Sequence, residues 1–143
     1  MGEERTITTH IRAAEEYLQA AEKLIDAGEH FAAVLCTATG VERAAMALIL
    51  SLGARPATRH RHHEILRTLQ PIIKEENRKQ YQETVEAIAE LMGHLTMVRY
   101  KYEVAGEPKT PKQLYDAQTA QQLYDKSQKI LKFTKSLIKT KNF

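Results

Sequence analysis

Apolar residues return at alternating steps of four and three along the first fifty-two positions of this chain, and that spacing leaves few folds open to it. Ile7, Ile11, Ala14, Leu18, Ala21 and Ile25 form one series, and Phe31, Val34, Ala38, Val41, Ala45, Leu48 and Leu52 form the next. Such steps put each series on one face of an α-helix. Only Gly28 and its immediate neighbours separate the two. Helices joined so tightly bury their stripes by folding back as an antiparallel hairpin. A bundle of this kind makes its function from the polar residues that interrupt the buried seam, so those interruptions are where a site is sought.

The rest of the chain continues in helices. The first is expected over residues 8–27, with Thr6, Thr8 or Thr9 as N-cap and Gly28 as its stop. The second is expected over 30–52, ending at Gly53. Gly, Pro56 and Thr58 make residues 53–61 a loop. A short third helix spans 62–70, with Ile65, Leu66 and Leu69 inward and Pro71 marking its end or a kink. The fourth starts between 72 and 78 and reaches about 104, carrying Tyr81, Val85, Ile88, Leu91, Met92, Leu95, Val98 and Tyr102 on its core face. Pro108 and Pro111 break the chain again. The last helix is expected from Pro111 to about 139, with Leu114, Ala117, Ala120, Leu123, Tyr124, Ile130, Leu131, Leu137 and Ile138 inward. No useful stretch alternates with period two. The expected class is all-α, an up-and-down helical bundle of four long helices plus one short one, with residues 1–143 forming a single domain.

Composition bounds the function classes. The chain is 43% hydrophobic and 27% charged, too apolar for disorder. Its longest uninterrupted apolar run, residues 44–50, is far short of the roughly twenty residues that cross a bilayer. No membrane association is expected. The start Met-Gly-Glu-Glu-Arg has no apolar signal region, and the lone Cys36 has no partner for a disulfide, so the expected compartment is the cytoplasm. Charge is uneven: six lysines and no acid occupy 126–143, and four arginines and three histidines face one acid over 55–67. Such segments are either solvated helix faces or surfaces for phosphate and acidic partners.

Several chemistries are excluded. There is no Gly-rich phosphate loop, no Cys-x-x-Cys and no Gly-x-Ser-x-Gly elbow. None of the six histidines has a glutamate three residues before it, which removes a carboxylate-bridged di-metal bundle. His60, His62 and His63 are close enough in sequence to hold a metal, but Arg61 among them repels a cation. His63 is therefore read as a packing or capping residue, and no metal or cofactor is expected. Glu86, Glu90 and His94 share one face of the fourth helix and read as a solvated stripe.

The clearest interruption is Arg99. The series Tyr81, Val85, Ile88, Met92, Leu95 steps next onto it, before Tyr102. A guanidinium on an apolar seam needs a carboxylate, water or a second subunit. Glu42, beside the seam residue Val41, is the expected intramolecular partner. On one reading the pair fixes helix register. On the other, Arg99 with Tyr100 and Tyr102 lines a groove for phosphate or RNA, since aromatic faces beside a planar cation suit nucleobases and phosphodiesters.

The segment over residues 31–53, a small-residue run, then Glu42, then an Ala/Leu-rich stretch closing in Leu52-Gly53, resembles the second helix of HEPN domains (higher eukaryotes and prokaryotes nucleotide-binding). His63-Glu64-Ile65-Leu66-Arg67-Thr68-Leu69 is similar to that family's following His/Leu segment. Arg99-Tyr100-Lys101-Tyr102-Glu103 looks like the Arg-Tyr motif at the end of its fourth helix. The resemblance covers about 8–138. It implies a bundle that dimerises with a basic cleft at the interface, and a partnership with a small nucleotidyltransferase in toxin–antitoxin pairs. It also implies, in one branch, metal-independent ribonuclease activity through Arg, four to six residues, then His. Here those spacings from Arg99 land on Val104, Ala105 and Gly106, so the catalytic histidine is missing. His94 lies five residues before Arg99 instead.

The leading expectation is therefore a non-catalytic, homodimeric binding module for RNA, a nucleotide or a nucleotidyltransferase partner. Its ligand contacts are Arg99, Tyr100, Tyr102, Glu42 and His63. Two alternatives are a metal-independent ribonuclease using Arg99 with His94, and a purely structural interaction bundle.

Overall fold

A computed structural model describes residues 2–57, 61–100, 103–104 and 107–143, with side chains described outside 97–108. Helix α1 spans Gly2–Asp26 and α2 His30–Ser51. Helix α3 (His62–Thr68) is followed by a 3₁₀ turn at Gln70–Ile72, and α4 spans Glu75–Tyr100. Two-residue strands β1 (Glu103–Val104) and β2 (Glu107–Pro108) pair antiparallel, then come α5 (Pro111–Leu114) and α6 (Ala117–Thr140).

The hairpin forms as its periodicity requires. Gly28 adopts φ +78°, its N–H donates to the Ile25 carbonyl at 3.0 Å, and the Glu29 N–H reaches back to Leu24 at 2.8 Å. That pair of bonds is a Schellman stop, which needs a left-handed residue. Gly53 repeats it after α2, with φ +83° and Ala54 N–H donating to the Ile49 carbonyl at 3.1 Å. Along α2, Ala33, Thr37, Gly40, Ala44 and Ala47 recur every three or four residues and are all buried. A Cβ at Gly40 would sit 3.2 Å from the Ala14 carbonyl oxygen and 3.2 Å from Leu18, so small residues set how closely α1 approaches.

Cross-links fix the helix directions. Tyr124 donates to Glu22 at 2.9 Å, Lys135 pairs with Glu15 at 3.5 Å and Lys141 with Glu4 at 3.7 Å, so α6 runs antiparallel to α1. Lys126 meets Glu90 at 2.6 Å, and the Lys74 N–H reaches the Phe143 carbonyl at 2.6 Å, so α6 is antiparallel to α4 as well. The result is up-down-up-down. Helix α2 packs on α1, α3, α4 and α6. It is long and apolar enough by composition to cross a membrane, yet most of it is buried inside this bundle. Its Val34, Val41, Leu48 and Ile49 meet Leu66, Tyr81, Ile88, Leu95, Ile130 and Phe133 in one continuous core.

Four local expectations need correction. Helix α1 begins at Gly2, not residue 8: Thr6, Thr8 and Thr9 lie within it, and their hydroxyls donate to carbonyls four residues back at 2.9–3.0 Å. Glu3 and Glu4 in the first turn favour that early start through the helix dipole. Helix α3 stops at Thr68, and Pro71 falls in the 3₁₀ turn. Helix α4 stops at Tyr100 and the backbone turns into the β1–β2 pair. The last helix is broken in two. Tyr115 is extended, and Asp116 caps α6 by accepting the Thr119 N–H at 2.7 Å. Ala117 is consequently exposed, while Ser127, Phe133 and Thr134 join the buried face.

Candidate functional site

The loop before α3 brings His62 down onto α2. His62 is 3% exposed, and its Nδ1 accepts the Ala57 backbone N–H at 3.2 Å. The imidazole proton therefore resides on Nε2, which faces Glu42 Oε2 at 3.9 Å. The contact is longer than a hydrogen bond, and the carboxylate meets the positive end of the ring dipole. Sequence reading selected His63 as the packing or capping residue here, whereas His62 is the one packed on α2. The signal for His62 was available, because 62, 65, 66 and 69 share a helical face.

His63 turns roughly 100° away and belongs to a different cluster. Burial, then the Arg67 guanidinium, hold its pKa below the ordinary imidazole range against the opposing pull of Glu64 and Glu86. Its Nδ1 is buried without a hydrogen-bond partner. Arg67 places both Nε (3.2 Å) and Nη2 (3.0 Å) on Glu86 Oε1, linking α3 to α4. Tyr81 adds a hydroxyl bond to the Leu66 carbonyl at the same junction. Glu42 and His63 are thus not brought together.

Further along α4, His94 Nδ1 lies 2.8 Å from the Tyr115 hydroxyl, with ring centroids 5.6 Å apart and planes tilted 57°. Tyr115 is 5% exposed, and burial pushes its pKa up to about 12. Burial chiefly, helped by Lys126 and opposed by Glu90, lowers the pKa of His94. Glu86 and Glu90 are exposed, as the solvated stripe requires, and every position of the stripe also has a partner. Glu86 pairs with α3, Glu90 with α6, and His94 with the α5–α6 link.

Tyr102 lies outside the described residues, as do the side chains of Arg99 and Tyr100. The backbone register of α4 still places position 99. Extending the Glu90–Lys126 ladder nine residues carries it to the N-terminal end of α6, where Asp116 senses His30 at the start of α2. Glu42 sits twelve residues into α2, roughly 18 Å along its axis at 1.5 Å per residue. The expected pairing of Glu42 with Arg99 falls on a side chain outside the described residues. His60 also lies outside the described residues. Among the described residues no His/Cys/Asp/Glu group could hold a metal.

Of the six C-terminal lysines, three are salt-bridged and two more line a groove that Lys126 also borders. Lys126, Lys135 and Lys141 are salt-bridged to Glu90, Glu15 and Glu4. Lys129 and Lys132 line a groove of about 600 Å³ between α4 and α6, beside Asn77, Gln80, Glu83 and Asn142.

Four long antiparallel helices with a broken connection between the third and fourth make this an all-α helical bundle. The family model of the HEPN domain matches residues 7–137, and the chain belongs to the HEPN family. That membership supports a nucleotide- or RNA-related function in general terms. No curated protein matches the chain.

Proposed function

We propose that this HEPN protein is a non-catalytic binding module, a cytoplasmic homodimer that holds a phosphate-bearing ligand, RNA or a nucleotide, and works beside a nucleotidyltransferase partner. The observation that carries the reading is the chemistry after Arg99. After four to six intervening residues come Val104, Ala105 and Gly106, none of which can take a proton from a 2′-hydroxyl. His94 does not replace the missing base. It precedes Arg99, is half-buried, and its Nδ1 is engaged by Tyr115. What remains at the end of α4 is a guanidinium with neighbouring tyrosines, suited to holding phosphate and stacking a base without cleaving.

Two measurements test this. Labelled single-stranded RNA and ATP are titrated into wild type and Arg99→Ala. The expected loss is tenfold or more, the scale of one charge-assisted contact, and equal affinities with an intact fold overturn the site. Incubating the protein with RNA and EDTA should leave the RNA uncut, whereas metal-independent cleavage would establish the ribonuclease alternative.

A further inference from the structure

Six lysines and no acid occupy 126–143, and the phase of α6 divides them. Lys126 faces α4 and meets Glu90, Lys135 faces α1 and meets Glu15, and Lys141 past the helix end meets Glu4. Lys129, Lys132 and Lys139 are exposed and form no ion pair or hydrogen bond among the described residues. With Ser136 they step 3-4-3 along the chain, which places all four on one outward stripe. Lys129 and Lys139 are ten residues apart, about 15 Å along the axis at 1.5 Å per residue. The stripe borders the groove of about 600 Å³ between α4 and α6. Lys126 and Glu90 tie the two helices together at one end, and Asn77 donates to the Asn142 carbonyl at 2.9 Å at the other. The apolar floor is already sealed, with Ile130, Phe133 and Leu137 only 2%, 6% and 4% exposed. An amphipathic protein helix would find little apolar surface to bury there. What stays reachable is polar: Gln80, Ser136 and Thr140 beside Lys129 and Lys132, with Glu83 the one acid among the described residues lining the groove. Ammonium, amide and hydroxyl groups are the ones that hold a sugar–phosphate backbone.

We propose that the outward stripe of α6, with the groove beside it, is a binding surface for single-stranded RNA. This rests on the RNA reading given above and not on Arg99. Phosphates lie along Lys129, Lys132 and Lys139, on the bank opposite Glu83, and the sugars turn toward Gln80, Ser136 and Thr140. A ribose 2′-hydroxyl both donates and accepts, so amide and hydroxyl partners suit it. Phe133, the aromatic ring in the floor, is buried, so no base stacks there and the surface reads no sequence. Binding of this kind is driven by counterion release, and its salt dependence counts the phosphates engaged. Lys126, Lys135 and Lys141 contribute less, because each ammonium already has a carboxylate beside it.

The test titrates a short labelled oligouridylate into the full chain over a series of KCl concentrations. Lys129→Gln, Lys132→Gln and Lys139→Gln made together should reduce the slope of log affinity against log salt by about 2, at roughly 0.7 per phosphate contact on a single strand. Lys126→Gln, Lys135→Gln and Lys141→Gln remove the same charge and should reduce it by less than about 1. All six side chains are exposed, so both triples should melt close to wild type. Glu83→Gln should tighten binding about two- to threefold, the scale of one exposed charge. Equal slopes in the two triples overturn the surface, since net charge alone would then account for binding. A wild-type slope retained in the first triple overturns it as well. If Arg99→Ala weakens binding and the first triple does not, the RNA reading stands and the stripe fails. The reverse pattern keeps the stripe and removes Arg99, and a wild type that binds no RNA ends both. Polyglutamate of matched charge that competes as well as unlabelled oligouridylate overturns the choice of RNA over an acidic protein.

Discussion

The α1–α2 hairpin and the α4–α6 connection are built from opposite kinds of information. The hairpin needs little beyond its own residues: a stripe on each helix, two glycine stops at φ +78° and +83°, and small side chains where the helices touch. The connection has local signals that compete. Pro111 offers a helix start and Asp116 offers another five residues later. The second wins the long helix because Tyr115 between them is drawn inward by the core and by His94, 21 residues away. The first region is specified by neighbours in sequence, the second by neighbours in space, and the candidate site falls in the second.

The largest effects should separate the two regions by burial. Leu48 is fully buried in the core shared by α2 and its neighbours. Leu48→Ala should cost about 3 kcal/mol, transfer plus residual cavity. Leu114 of α5 is only half-buried against that same core, and the same truncation there should cost about 1 kcal/mol. Urea unfolding of both variants measures the contrast. Equal losses would mean that the connection is as deeply fixed as the hairpin.

That contrast also explains what was legible. The order of helices, the stops at Gly28 and Gly53, the core face of α2 and that of α4 from Tyr81 to Leu95 were all readable, because each follows from a repeat within one element. The start of α1 was not: threonine is ambiguous between a cap and an interior residue whose hydroxyl bonds four residues back. The split of the last helix was missed because Asp116 and Thr119 read equally well as surface residues of a continuous helix. At the site, Arg99 is visible as a cation standing where its stripe calls for an apolar residue. His62 facing Glu42 and Tyr115 facing His94 depend on where loops return, and spacing within one helix carries no record of that.

Glycines give smaller effects of opposite sign. Gly28→Ala and Gly53→Ala should each cost about 1 kcal/mol, since the hairpin stops hold a left-handed backbone that a Cβ resists. Gly93 on α4 has open space where a Cβ would go. Gly93→Ala should stabilise by roughly 0.5–1 kcal/mol, by helix propensity and reduced unfolded-state freedom. Thermal unfolding checks all three, and a destabilised Gly93→Ala would break the assignment of α4 as an ordinary helix up to His94.

Acid should act through the histidines of both regions. His10 on α1, His63 on α3 and His94 on α4 all have folded-state pKa values lowered from 6.5, with burial the largest cause in each. Between the folded and unfolded values the unfolded chain binds more protons, so stability rises with pH there. The contribution is complete above about pH 6.5 and drains as pH falls through the lowered values. The melting temperature should therefore drop between pH 7.5 and 5, and His94→Asn should flatten part of that slope. A melting temperature that rises on acidification would reverse the sign and remove the argument.

The smallest effect sharpens the comparison beside the His94–Tyr115 contact. Lys126 and Glu90 are 47% and 41% exposed, so breaking their pair should change stability by about 0.5 kcal/mol or less. Their charges act on His94 in opposite senses: Glu90 raises its pKa and Lys126 lowers it. Glu90→Gln should shift the His94 titration further down, and Lys126→Gln should shift it up, each read from the imidazole ¹H chemical shift against pH. His10 and His63, whose charged neighbours are Arg43 in the first case and Arg67, Glu64 and Glu86 in the second, should titrate as before. Opposite movements of a single imidazole, with unfolding nearly unchanged, would separate the electrostatics of the α4–α6 connection from the packing that governs the hairpin. If both substitutions move His94 the same way, or all three histidines move together, the local account of its pKa gives way to a global change in the bundle.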